Sequence, residues 1–271
     1  MPKATYMYWQ KRFDRENPDE AIEKEILDIR KENPNYGYRS LCKALRNKGV
    51  VVNKKKVQRI VQKLGIQVKS FTRKSRKYNS YKGEVGKIAP NRIRGRFNTN
   101  IPHQKITTDT TEFKYYEIDK KGRMTTKKLY LDPFMDMYNG EIISYGISKT
   151  PSSENILNAL DKAIEITKDC KYRRTFHSDR GWAYQMKAYK YKLKENRIYQ
   201  SMSIKGNCYD NSKMENFFGI LKQEMYYGKT YYSYEELEQA INTYIDYNNK
   251  RIKEKLGWLS PVEFRIKRKI A

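Results

Sequence analysis

Between residues 18 and 66 apolar side chains recur at helical intervals. Ile22, Ile26 and Ile29 predict a helix from about Asp19 to Glu32, which Asn33-Pro34-Asn35-Tyr36-Gly37 then interrupts. A second helix is expected from about Ser40 to Gly49, whose glycine suits a left-handed cap. Asn53 can cap a third, Lys54 to Leu64, with Gly65 after it. In that helix Val57, Ile60, Val61 and Leu64 form one stripe, leaving Lys54, Lys55, Arg59 and Lys63 to point elsewhere. A short basic helix on a small helical unit is how helix-turn-helix proteins enter a major groove. A plain three-helix bundle with a solvated charged face is the competing reading.

From Lys105 the period changes to that of strands. KITTDTTEFKYYEI and KKLYLDPFMDMY alternate, and Asn139-Gly140 joins the second to EIISYGIS as a hairpin. Pro151-Ser152-Ser153 opens a helix that would bury Ile156, Leu157, Leu160, Ala163 and Ile164. RRTFHSD reads as a strand, residues 184–196 as a helix and RIYQSMS as a strand. Helices are then expected from Asp210 to about Tyr226 and over Ser233–Asn249. The chain accordingly divides into an N-terminal segment 1–17, a helix-turn-helix-like domain 18–66, a linker 67–104, a core 105–265 with C-terminal helices, and a tail 266–271.

Charge sharpens this picture. The chain carries 57 Lys+Arg against 31 Asp+Glu, a formal charge of +26, and a mean hydropathy of −0.96. Such values border on disorder, but the periodic apolar segments indicate a folded protein with a basic surface. Fifteen Lys or Arg and a single acid, Glu84, lie between Lys54 and Arg96, so the linker can track a phosphate backbone and order upon it. The balance implies a polyanionic partner, because neutralising phosphates releases condensed counterions. An RNA-coating protein would share this composition. No apolar run approaches 18 residues and no signal peptide is seen, so a soluble, cytoplasmic protein without membrane contact is expected. Cys42, Cys170 and Cys208, with His103 and His177, make no paired spacing for a disulfide framework or zinc.

Three acids carry the candidate chemistry. Asp109 sits in TTDTTEF on the first strand, Asp179 in FHSDRGWAY at the end of the fourth, and Glu215 in DNSKMENFFGILKQE on a helix. An acid within an aromatic or β-branched strand is costly to bury unless it is paired or binds metal. Hard oxygen ligands suit Mg²⁺, and two ions can clamp the attacking and leaving oxygens of a phosphodiester displacement. The order β-β-β-α-β-α-β-α together with this acid placement points to an α/β, ribonuclease H-like core with a mixed five-stranded sheet, behind a small all-α helix-turn-helix domain.

Thirty-five residues separate Asp179 from Glu215. With NPNYGYRSL, TTDTTEF, YLDPFMDMYNGEIISY, FHSDRGWAY, QSMSIKGNCYDNSKMENFFGILKQE and YIDYNNKRIKEKLGWLSPVEF in order, the chain resembles the transposases of bacterial insertion-sequence family three, whose core is similar to retroviral integrase. These segments run from Asn33 to Phe264. The resemblance implies that Asp109, Asp179 and Glu215 hold two Mg²⁺ ions, with Mn²⁺ as a substitute, for strand cleavage and 3′-OH transfer. It implies double-stranded DNA partners, the element's terminal inverted repeats and the target. It also implies a homo-oligomer on paired ends, a nucleoid-associated bacterial location, and an upstream reading-frame product joined by frameshifting. A catalytically inactive DNA-binding relic or regulator is the rival reading.

Other residues stay open between two roles. Lys222, seven positions after Glu215, either reaches a phosphate or is a surface lysine. Arg251 either binds phosphate or holds the last helix. His177 either orients water or substrate, or is packed. Asp136 is expected to be structural, Asp210 to serve the N-terminus of the Glu215 helix, and Glu112 to face away from Asp109. Phe217, Ile220 and Leu221 are expected to form that helix's core stripe. Ile106 stands where many relatives carry Trp, and the zinc-binding N-terminal domain of retroviral integrases has no counterpart.

Overall fold

The computed structural model describes residues 2–13, 17–68, 88–118, 122–204 and 208–270. Contacts divide the chain into two compact units, Met1–Phe71 and Thr72–Ala271. Of the expected basic linker, residues 69–87 lie outside the described residues.

In the first unit a helix that periodicity did not predict, α1 (Lys3–Phe13), begins behind Pro2, whose carbonyl accepts the N–H groups of Thr5 and Tyr6. The next three helices are α2 (Glu20–Glu32), α3 (Tyr38–Asn47) and α4 (Lys54–Lys63), within two residues of their expected limits. They bury Ile26, Ile29, Leu41, Leu45, Val57 and Ile60 together. Asn53 caps α4 through the Lys55 N–H. Gly49 closes α3 at φ +86°, a conformation open to glycine at no steric cost. Arg30 ties the unit's ends by donating to the carbonyls of Pro34, Tyr36 and Ile66.

The second unit is a mixed sheet between two helical layers. Its strands are β1 (Lys105–Thr108), β2 (Thr111–Ile118), β3 (Met124–Asp136), β4 (Ile142–Ser148), β5 (Thr175–Ser178) and β6 (Tyr199–Met202). β3 carries β4 along one edge and β1 then β2 along the other, all antiparallel; β1–β5 and β5–β6 are parallel. Six strands stand where five were expected because the first one is interrupted at Asp109-Thr110. The Asn139-Gly140 turn forms as expected, with Gly140 at φ +73°.

The helices are α5 (Ser153–Ile166), α6 (Trp182–Gln185), α7 (Lys187–Glu195), α8 (Ser212–Leu221), α9 (Tyr234–Lys250) and α10 (Pro261–Ile270). On one face Phe113, Leu129 and Leu131 pack against Met214, Phe217, Leu221 and Ile241 of α8 and α9. On the other, Ile106, Phe134 and Phe176 meet Leu160 of α5 and Tyr184, Tyr189 and Leu193 of α6 and α7. This two-faced covering of a mixed sheet is the ribonuclease H-like arrangement. Three details depart from expectation. α10 takes in residues 266–270, read as tail. The helix expected over 210–226 is a 3₁₀ turn, then α8, then a π turn over Lys222–Tyr226. The core stripe of α8 is Met214, Phe217, Phe218 and Leu221, with Ile220 only half-buried. No helix among the described residues is long and apolar enough to cross a membrane.

Candidate active site

β1 and β5 run parallel with Thr107 beside His177, so the same register carries Asp109 opposite Asp179 just beyond both strands. Adjacent strands lie about 4.8 Å apart. The two carboxylates therefore leave the sheet as neighbours. Asp109 also lies where the antiparallel ladder opens. Met137 donates its N–H to the Lys105 carbonyl, so alternate β3 residues turn their backbone toward β1 and β2. The shared register puts Pro133 across from Asp109 at such a position. Proline has no N–H to give the aspartate carbonyl. The strand bends, and Asp109 Oδ1 accepts the Thr110 N–H at 2.8 Å.

Asp179 is aimed by the turn that follows it: Gly181 donates its N–H to Oδ1 at 2.8 Å. A Cβ at Gly181 would stand 2.9 Å from that oxygen, so the approach requires glycine. Glu215 comes in on α8, whose start is fastened to β1. The Thr107 hydroxyl donates to Asn211 Oδ1 at 2.6 Å, and Asn211 Nδ2 donates to the Thr108 carbonyl.

His177 is the second fastening, fully buried beneath the site. Nε2 lies 2.8 Å from the Asp210 carbonyl, which can only accept, so Nε2 carries the proton. Nδ1 then accepts from the Ser201 hydroxyl at 2.9 Å. Burial holds the imidazole below its ordinary pKa and keeps it neutral. It joins β5, β6 and the turn before α8, which decides for the packed role. His177→Leu is expected to lose about 1–3 kcal/mol for each buried partner left unsatisfied. Denaturant unfolding measures this, and an unchanged midpoint would refute the role.

The three acids share one electrostatic environment. Burial raises Asp109 well above the usual carboxylate range, and the charges of Asp179, Glu215 and Asp132 push it further. Burial also raises Asp179 and Glu215. Among the described residues no group of three or more His, Cys, Asp or Glu side chains is drawn into a single coordination sphere. The donor chemistry nevertheless fits a divalent ion: all three ligands are hard oxygens, and a cation would relieve both desolvation and repulsion.

A polar network that sequence reasoning did not single out supports Asp109. Asp132, buried on β3, accepts from Thr110 Oγ1 at 2.6 Å and from Asn155 Nδ2 at 3.1 Å. Gly146 makes room for that asparagine, since a Cβ there would come within 2.4 Å of it. Tyr184 on α6 sets its hydroxyl 3.4 Å from both Thr108 and Thr110. The signal for Asp132 lay in the hairpin register, which pairs it with Thr110.

Asp136 is structural, as expected: its carboxylate accepts the N–H groups of His103 and Tyr138. Burial pushes Asp132 and Asp136 each up to about 6 from 3.8. The folded state thus holds these protons more tightly than the unfolded chain. Their stabilising contribution is complete below about pH 4 and lost as pH rises through about 6, at most about 3 kcal/mol per group. In metal-free buffer, Asp136→Asn should flatten the fall in Tm between these limits. A variant profile parallel to the wild type would contradict this.

The Lys222 ammonium lies over β2. Burial lowers its pKa, the charges of Glu112 and Asp109 oppose that, and Nζ lies 5.2 Å from the Phe113 ring centroid. Glu112 itself is engaged by Lys128 and Tyr130. Asp210 accepts the Ile204 N–H and does not cap α8. Arg251 has a buried partner that the sequence did not show: Nη1 donates to the two oxygens of Glu224 at 2.9 and 2.8 Å. On α4, Lys54, Lys55, Arg59 and Lys63 are exposed. Arg59 pairs with Asp19 at 3.0 Å and Lys63 with Glu23 at 2.7 Å, contacts the helical pattern did not show.

Residues 99–208 and 215–268 match two integrase core domain models, and residues 17–75 an HTH-like domain model. A transposase-like protein of Haemophilus influenzae is 47% identical over 217 residues, covering 80% of this chain and 94% of the relative. The transposase InsK for insertion sequence element IS150 of Escherichia coli is 38% identical over 267 residues, covering 98% and 90%. Among solved structures, the catalytic core domain of HTLV-2 integrase in complex with magnesium aligns at 18% identity and a TM-score of 0.45, over 60% of this chain and 97% of that one.

Proposed function

The chain belongs to the transposases of insertion-sequence family three, and on that premise we propose that Asp109, Asp179 and Glu215 are the residues with which it cuts and joins DNA. Membership indicates polynucleotidyl transfer in DNA transposition, and the integrase core and HTH-like domains imply DNA binding. The observation that carries the residue assignment is the parallel β1–β5 register, which sets Asp109 beside Asp179.

Divalent ions bound by these carboxylates, Mg²⁺ or Mn²⁺, would supply charge neutralisation and an activated oxygen nucleophile for in-line displacement. The protein's own part is positioning. Gly181 and Thr110 orient the aspartates, while Asn211 and His177 hold the glutamate's helix against the sheet. Such preorganised groups act without reorganising during the reaction. Lys222, on the same side of α8, would contact a phosphate of the bound strand. Lys54, Lys55, Arg59 and Lys63 would contact DNA from α4, the surface pairs with Asp19 and Glu23 yielding to phosphates. An oligomer on paired ends, assisted by an upstream reading-frame product, completes this reading.

The test is joining of a branched DNA mimic of the strand-transfer product, in Mg²⁺ and in Mn²⁺. Metal-dependent joining lost in Asp109→Asn, Asp179→Asn and Glu215→Gln supports the assignment. Activity surviving in any of them would identify the wrong acids. Tight binding with no chemistry, unaltered by the upstream product, would favour the relic.

A further inference from the structure

We propose that the catalytic unit has a second binding site for the phosphate backbone of DNA, at the end of the sheet opposite the three acids. It is a cavity of about 300 Å³ between β6, α7 and the segment around Arg92. Four cations line it, Arg92, Arg173, Lys190 and Lys194, with no acid among the described lining residues. At its centre Tyr199 is held between two guanidiniums, with Arg92 Cζ at 4.2 Å and Arg173 Cζ at 3.8 Å from the ring centroid.

The arrangement selects an anion on physical grounds. Arg92, Arg173 and Lys194 bring like charges to one cavity, where an anion relieves their repulsion. The two guanidinium carbons over the Tyr199 ring hold both cations in place and occupy the space a stacked base would need. The free edges of a fixed guanidinium match phosphate oxygens bidentately. Arg92 is fixed at its backbone as well, since its N–H donates to Ser201 Oγ at 2.9 Å.

Place separates this site from the catalytic one. Tyr199 pairs with Thr175 at the opposite end of β5 from Asp179. Four residues of strand make about 13 Å. A phosphate in the cavity and one at the acids are therefore different phosphates, and cation pairs spaced across the cavity suit a chain of them. The inference rests on the reading of the protein as a DNA-joining enzyme only for the identity of the polyanion.

The experiment uses the full chain and a fluorescein-labelled blunt duplex, with affinity measured by anisotropy across a salt series. The exposed Arg92, Arg173 and Lys194 are changed together to glutamine. Each phosphate contact contributes about 0.9 to the slope of log K against log salt, so the triple variant should lose about 2–3 from that slope and about 100-fold in affinity near 0.1 M salt. Lys162→Gln, Lys168→Gln and Lys229→Gln together are the charge-matched control and should change the slope far less. Arg92→Lys with Arg173→Lys keeps the charges and should keep most of the slope, which guards against misfolding. A slope unchanged in the triple variant, or matched by the control, overturns the proposal. If the wild type joins no DNA yet the triple variant loses slope, the catalytic reading falls and the second site stands.

Discussion

Asp109→Asn is expected to abolish joining of the branched substrate by at least about 10³-fold and at the same time to make the metal-free protein more stable. Both effects come from one cause. The Asp109 carboxylate is buried and faces the charges of Asp179, Glu215 and Asp132, so its ionised form is held at a cost in the absence of a cation. The amide keeps a carbonyl oxygen for the Thr110 N–H and removes the charge. A gain on the order of 1 kcal/mol is expected, the usual sign of a functional site strained for its task. Thermal unfolding with and without metal provides a readout independent of catalysis. Mg²⁺ or Mn²⁺ should raise the wild-type Tm by binding only the folded state, and should leave Asp109→Asn nearly unmoved. A variant less stable than the wild type in metal-free buffer, or one still stabilised by metal, would remove Asp109 from the site.

The second large effect lies away from the chemistry. Arg251→Ala should cost about 3–5 kcal/mol, because it strands a buried carboxylate. Glu224 is 2% exposed, and its oxygens accept from Arg251 and from Tyr244 Oη at 2.8 Å. The pair joins the π turn after α8 to the end of α9, and α9 in turn covers the core face of α8. Glu224→Gln in the Arg251→Ala background should recover part of the loss, since the stranded charge is gone. A phosphate-binding Arg251 predicts the opposite pattern: normal stability, and weaker DNA binding with a shallower salt slope. Urea unfolding of the two variants beside a salt series distinguishes the roles.

Helices α2, α3 and α4 and the Asn139-Gly140 hairpin were legible because they are encoded locally, by apolar period, capping asparagine and turn glycine. The three acids stand out as candidates because their flanking segments are long and their spacing is distinctive.

What the chain's order did not disclose depends on pairings between distant residues. The break at Asp109 is made by Pro133, twenty-four positions later, and becomes visible only in the β1–β3 register. Asp132 reads as one more acid in an aromatic strand until Thr110 and Asn155 are found against it. The partners of two further residues were equally invisible, Glu224 for Arg251 and Ser201 with the Asp210 carbonyl for His177. The physical reason is the same in each case. A polar side chain's role follows from which buried partner satisfies it, and tertiary packing chooses that partner. Sequence alone determined most of the elements, the family and which acids are candidates, because propensity and motif spacing act along the chain. Only the tertiary structure decided which polar residues serve the site and which hold it in place.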